Sequence, residues 1–176
     1  MGHSSAIVRI GAAVLAALLF SPASHAADRS TPDNTVAALW RAISHEAGVA
    51  TDTAALRDIF HNDAVVFGSR LRNGQPSIKR TAIADFLDSF DTVSETAFHE
   101  CEIARRTDAF DRFAAVYSIV ESRTDASSVE PDFTGVNSIQ LYRDDDGWKI
   151  VSLYYHVGST DLAIPGAERR SGRCLD

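Results

Sequence analysis

The sequence predicts an α+β domain in which N-terminal helices pack on a largely antiparallel sheet. Two observations carry that class. Between Thr31 and Phe90 apolar residues recur at helical spacing. From about residue 96 to 157, four strand-like runs then succeed one another with no helix between them. A third observation bounds the domain: the first 26 residues read as an export signal, so the fold is built from residue 27 onward.

Within that signal, Arg9 is the only Lys or Arg, and it precedes an unbroken apolar and small run from Ile10 to Phe20. As a helix this run spans about 16 Å, roughly half a bilayer core, which suits a signal core and not a membrane anchor. Ser21-Pro22 breaks it, and Ser24-His25-Ala26 supplies small residues for cleavage after Ala26 or Ala27. The expected organisation is a signal peptide over 1–26, one domain over 27–158 and a C-terminal tail over 159–176. The expected location is outside the inner membrane, in the periplasm or the medium.

Removing the signal takes one of the 17 Lys+Arg and none of the 24 Asp+Glu, so the remainder is more acidic than the whole chain at −7. That balance argues against nucleic acid or an anionic membrane as the main partner. Cys101 and Cys174 are the two cysteines. In an oxidising compartment they are expected to pair, closing a loop of about 70 residues for roughly 3–4 kcal/mol and pinning the tail.

Thr31-Pro32 is an N-cap followed by Pro at the first helical position. Val36, Leu39, Trp40, Ile43 and Ala47 form one helical stripe, with Gly48 as its stop. A second helix starts near Asp52 with Leu56, Ile59 and Phe60 inward; His61-Asn62-Asp63 ends it, and 64–67 is a short strand. Asn73-Gly74 is a turn. A third helix runs from about Thr81 to Phe90, with Ile83, Phe86, Leu87 and Phe90 on one face.

The strands then fall at about 96–106, 112–123, 133–143 and 148–157. In the last, strict alternation groups Trp148, Ile150, Ser152, Tyr154 and His156 on one face and Lys149, Val151, Leu153, Tyr155 and Val157 on the other. Both faces are largely apolar, so both need cover. A second copy of the chain or its own tail would supply it.

The stretches 55–67 (Ala55-Leu56-Arg57-Asp58-Ile59-Phe60-His61-Asn62-Asp63-Ala64-Val65-Val66-Phe67), Ile83-Ala84-Asp85-Phe86 and Gly147-Trp148-Lys149-Ile150-Val151-Ser152 carry a resemblance. Over about residues 32–158 the chain resembles the nuclear transport factor 2-like superfamily, in particular its SnoaL-like branch. The resemblance implies a curved sheet wrapped around helices, a cone opening into a pocket, and a homodimer through the outer face of the sheet. It leaves function open, since the same fold hosts isomerases, dehydratases, hydrolases, cyclases and proteins without known activity. Steroid isomerase-like members place their base where this sequence has Gly68, which cannot take a proton.

Polar residues on apolar strand faces are the candidates for chemistry. His156, as an imidazole, is the expected general acid or base. Glu121 shares its parity with Phe113, Tyr117 and Ile119, and burial is expected to raise its pKa. Asn137 lines up with Ile139 and Leu141, to orient a ligand carbonyl or satisfy a backbone group. Trp40, Phe67, Tyr117 and Tyr154 are read as pocket wall or core. His99 and Cys101 stand two apart on one strand face, too few ligands for a metal site. No phosphate loop or nucleophile motif is present, and no cofactor or metal is called for. The expectation is an exported domain binding a small apolar or amphipathic molecule. The alternatives are a cofactor-independent lyase, isomerase or hydrolase using His156 and Glu121, and a non-catalytic dimeric interaction module.

Overall fold

A computed structural model describes residues 26–158, 164, 165, 167 and 171–175. The expected signal lies outside the described residues except for Ala26, as does most of the tail. The element order is α1 (Pro32–Ile43), α2 (Thr53–Ile59), β1 (Phe60–Arg72), β2 (Gln75–Ala82), α3 (Ile83–Asp88), β3 (His99–Phe110), β4 (Phe113–Arg123), β5 (Phe133–Arg143) and β6 (Trp148–Val157). The six strands form one sheet in the order β2-β1-β6-β5-β4-β3. Every pairing is antiparallel except β1 with β6, which is parallel. The α+β class and the largely antiparallel sheet are as the sequence predicts.

Local chemistry explains the helix ends. The Thr31 hydroxyl accepts from the Asn34 amide at 3.1 Å, and Pro32 opens α1. The helix stops at Ile43, short of Gly48. The Ser44 hydroxyl donates to the Trp40 carbonyl at 2.7 Å, and His45 leaves the helix to bridge Phe98 through reciprocal backbone bonds. Asp52 caps α2 through the Ala55 amide at 2.9 Å.

Three strand readings differ from the alternation pattern, one of them β3, which starts at His99 and runs on through the expected separator to Phe110. His61-Asn62-Asp63 is no turn: it lies inside β1, where the register with β6 shifts between Phe60 and Val65. Residues 75–82 form a strand the sequence hides, because it is polar, contains Pro76 and occupies the sheet edge, where such residues are tolerated.

The helices cover the concave face. Val36, Leu39 and Trp40 of α1, Leu56 and Ile59 of α2, and Ile83 and Leu87 of α3 pack with Val66, Val116, Val120, Ile139, Leu141, Trp148, Ile150 and Leu153 in one buried cluster. A second, smaller cluster sits on the outer face. There Cys101, Ile103 and Ile119 are packed by Ile164 and Ala167 of the tail. The Cys101–Cys174 disulfide ties that tail down, and the Leu175 amide donates to the Glu102 carbonyl. The tail therefore supplies part of the cover that the apolar outer face requires.

Candidate functional site: the polar end of the concave face

One irregularity decides which residues share a face. In β6, Gln140 pairs with Ser152 but Leu141 pairs with Ile150, so the register slips by one residue at Val151. Such a bulge reverses the alternation beyond it. Trp148, Ile150, Leu153 and Tyr155 consequently face the helices, whereas Ser152, Tyr154 and His156 face outward. The single face expected for Trp148, Ile150, Tyr154 and His156 is thus split.

The predicted site residues divide accordingly. Asn137 and Trp40 lie within, both buried. Phe67, Tyr154 and Tyr117 lie outside, in one lateral row with Ser138 between the tyrosines. They do not line a common pocket with Trp40 and Asn137. His156 and Glu121 both face outward but stand two strands apart and two residues out of step, on the order of 12 Å between backbones. No proton passes directly between them.

Glu121 is also engaged elsewhere. It is 2% exposed, accepts from Arg123 Nη2 at 2.7 Å and from the Gly172 amide at 2.9 Å. Burial pushes its pKa up, but hydrogen bonds from Ser171, Arg123 and Gly172 outweigh that and hold it below its usual value. The expected rise is reversed, and Glu121 is a structural carboxylate that fastens the tail. Cys101, in its disulfide, cannot serve as a thiolate ligand beside His99.

The concave face has its own polar end, which sequence reasoning alone misses. Beyond the apolar rows under the helices, Ser118, Asn137, Tyr155 and Gly68 form one lateral row. Two residues further along β3 and β4 from the Glu102–Val120 pair, Glu100 stands opposite Ser122. Glu102 is buried but satisfied, by Ser118 at 2.6 Å and by Arg105. Glu100 is not. Its Oε1 accepts from Ser122 at 3.0 Å, while its Oε2 is buried with no hydrogen-bond partner among the described residues. Burial raises its pKa to about 7 against the single opposing bond from Ser122.

Two more buried polar atoms on this face share that condition: Asn137 Nδ2 and Trp40 Nε1. Trp40 lies about one helical turn before Ser44, whose hydroxyl accepts from the Glu100 amide at 2.9 Å. Aromatic rings edge the region. Phe98 lies 6.4 Å from both His45 and Phe133, and Tyr155 stands over Gly68.

Solved structures repeat this architecture. An NTF2-like protein of unknown function from Shewanella baltica superposes with a TM-score of 0.51 at 16% identity, over 73% of this chain and 91% of that one. A protein of unknown function with a cystatin-like fold from Nostoc punctiforme gives 0.55 at 12% identity, over 73% and 89%. The fold is nuclear transport factor 2-like. A protein from Parabacteroides distasonis, provisionally named a ketosteroid isomerase, gives 0.52 at 12% identity, over 77% and 94%. No protein-family model matches the sequence, and no curated protein does. Within the nuclear transport factor 2-like sheet, Gly68 faces inward beneath the Tyr155 ring, and a Cβ there would fall on the Tyr155 hydroxyl. Tyr155 thus fills the space above the strand at Gly68.

Proposed function

We propose that this chain is an exported domain that binds a small, mostly apolar molecule on the concave face, with the unpartnered polar groups of Asn137, Trp40 and Glu100 as separate recognition points. One observation carries the reading: Glu100 Oε2, Asn137 Nδ2 and Trp40 Nε1 are all buried without hydrogen-bond partners among the described residues. Each such atom costs about 1–3 kcal/mol. A guest whose polar group reaches one of these atoms offsets that atom's cost. Export is part of the proposal. The disulfide suits an oxidising compartment, and no helix among the described residues is long and apolar enough to cross a membrane.

The test is native mass spectrometry of the purified full chain, read for a retained small molecule. Retention is expected in the wild type and loss in Asn137→Leu; equal retention in both would remove the concave face from consideration.

A second reading is favoured by Glu100 itself. A carboxyl held at about 7 is suited to exchange protons at neutral pH, as a cofactor-independent lyase, isomerase or hydrolase requires. Under that reading turnover inflects near pH 7 and Glu100→Gln abolishes it. A homodimer through the outer aromatics Phe113, Tyr117 and Tyr142, all exposed, is compatible with either reading. Analytical ultracentrifugation of wild type and Tyr117→Asp tests it, a dimer lost in the variant being the expected result.

A further inference from the structure

We infer a separate activity on the outer face: hydrolysis of small uncharged esters, with Ser69 as nucleophile, His156 as its base and Tyr154 as donor to the oxyanion. The strand register brings the three together. β1 pairs with β6 so that Ser69 stands opposite His156 and Phe67 opposite Tyr154, on one face of the sheet. The Ser69 hydroxyl oxygen lies 2.7 Å from His156 Nδ1 and 3.0 Å from the Tyr154 hydroxyl. A serine hydroxyl within about 2.6–3.2 Å of an imidazole nitrogen is the arrangement in which a base activates a nucleophile. The trio also lines a cleft of about 250 Å³, so the pair has somewhere to receive a substrate. Ser69, 8% exposed, is the most withdrawn of the three, and Tyr154 is 40% exposed.

The hydrogen bonds run in one direction. With the imidazole proton on Nε2, Nδ1 offers a lone pair to the Ser69 proton, and the Tyr154 O–H donates to Ser69 Oγ. Oγ adds to the ester carbonyl carbon as its proton passes to Nδ1. Once bonded to carbon, Oγ is a poorer acceptor, and the Tyr154 O–H turns to the oxyanion on that same carbon. The C–O bond to the alcohol then breaks, and His156 returns the proton to the departing oxygen. Water, giving a proton to Nδ1, attacks the acyl-serine; the acid leaves and Ser69 takes that proton back. One ester and one water become one acid and one alcohol, with no change of oxidation state.

The walls select the substrate. Leu71 stands opposite Pro76 and Ser69 opposite Ile78, so these apolar side chains share the face of the trio. Arg70, Arg72 and Lys79 fall on the alternate positions and belong to the other face. Arg70 and Ser77 border the cleft from such positions, while Arg80, on the outer face opposite Phe67, is not among its lining residues. Leu71 and Ile78 are 45% and 64% exposed, so an acyl chain laid on them removes apolar surface from water. The cleft is smaller than the roughly 300–1,000 Å³ usual for ligand sites, which restricts that chain to a few carbons. No atom of the concave face takes part, so the two sites stand or fall separately.

The full chain is assayed with para-nitrophenyl acetate, and its serines are probed with phenylmethanesulfonyl fluoride. Saturable release of nitrophenolate is expected from the wild type. It should fall at least about 100-fold in Ser69→Ala, His156→Gln and Tyr154→Phe. His61→Gln, an exposed histidine outside the cleft, should keep the wild-type rate. The sulfonyl fluoride forms an S–O bond to the activated serine with loss of fluoride. Peptide mass spectrometry of the wild type should place that label on Ser69, a reading that does not depend on any variant folding. Absence of turnover, turnover retained in Ser69→Ala or His156→Gln, or a wild-type Ser69 that takes no label would overturn the assignment.

Discussion

Glu100 shows how a single side chain couples the interior to pH. Its folded pKa is raised by burial from 4.5 to about 7, so the folded protein holds that proton more tightly than the unfolded chain. The associated stability is fully present below pH 4.5 and is lost as pH rises through 7, amounting to roughly 3 kcal/mol by linkage. Glu100→Gln keeps an acceptor for Ser122 but has no proton to lose. Urea denaturation should therefore find the variant near wild type at pH 4.5 and more stable by up to that amount at pH 8. A variant no more stable than wild type at pH 8 would show the carboxyl to be solvated. This residue is hidden in the sequence because Glu100 and Glu102 on one strand parity read as a solvent face. Glu121 is legible by its parity, but parity assigns it the wrong chemistry. The signal that separates the two lies in Arg123, two residues on and on the same face, which pairs with Glu121 and holds it charged.

At the scale of the element, most of the fold is legible because periodicity reports burial directly. The caps at Thr31 and Asp52, the β4 and β5 limits and the Asn73-Gly74 turn all come from local residue chemistry. Two elements resist for opposite reasons. β2 carries no apolar alternation because an edge strand has little to bury, and the β6 bulge falls in Lys149-Ile150-Val151-Ser152, which has neither Gly nor Pro to announce it. That bulge moves the expected site, taking His156 and Tyr154 out of the interior and leaving Asn137 inside. Tyr155, brought inward by the same slip, depends on Gly68. Gly68→Ala should force the Tyr155 ring off the strand at a cost of about 1–3 kcal/mol. A changed Tyr155 ring resonance together with a lower urea midpoint would register it; an unmoved ring would mean the strand yields instead.

At the scale of the molecule, the outer face is held by its tail. Cys101–Cys174, the Glu121–Gly172 hydrogen bond and the Ile164 and Ala167 contacts act together over Ile103 and Ile119. Replacing both cysteines by Ser should lower stability by about 2–5 kcal/mol and uncover that cluster. Equilibrium unfolding reads the first effect and binding of a hydrophobic dye the second; neither change would mean the tail holds without its covalent tie.

The parallel pairing of β1 with β6 has a consequence in time. β6 is the last strand of the sheet in chain order, yet it lies inside it, joining β1 to β5. Contacts such as Ser69 to Tyr154 span 85 residues of sequence. Until residues 148–157 leave the ribosome, the nascent chain holds only a β1–β2 hairpin and a β3–β5 meander with nothing between them. A sheet whose keystone is synthesised last stays open throughout elongation. Closing it requires contacts between residues some 85 apart in sequence, so this step is expected to be slower than formation of the hairpins.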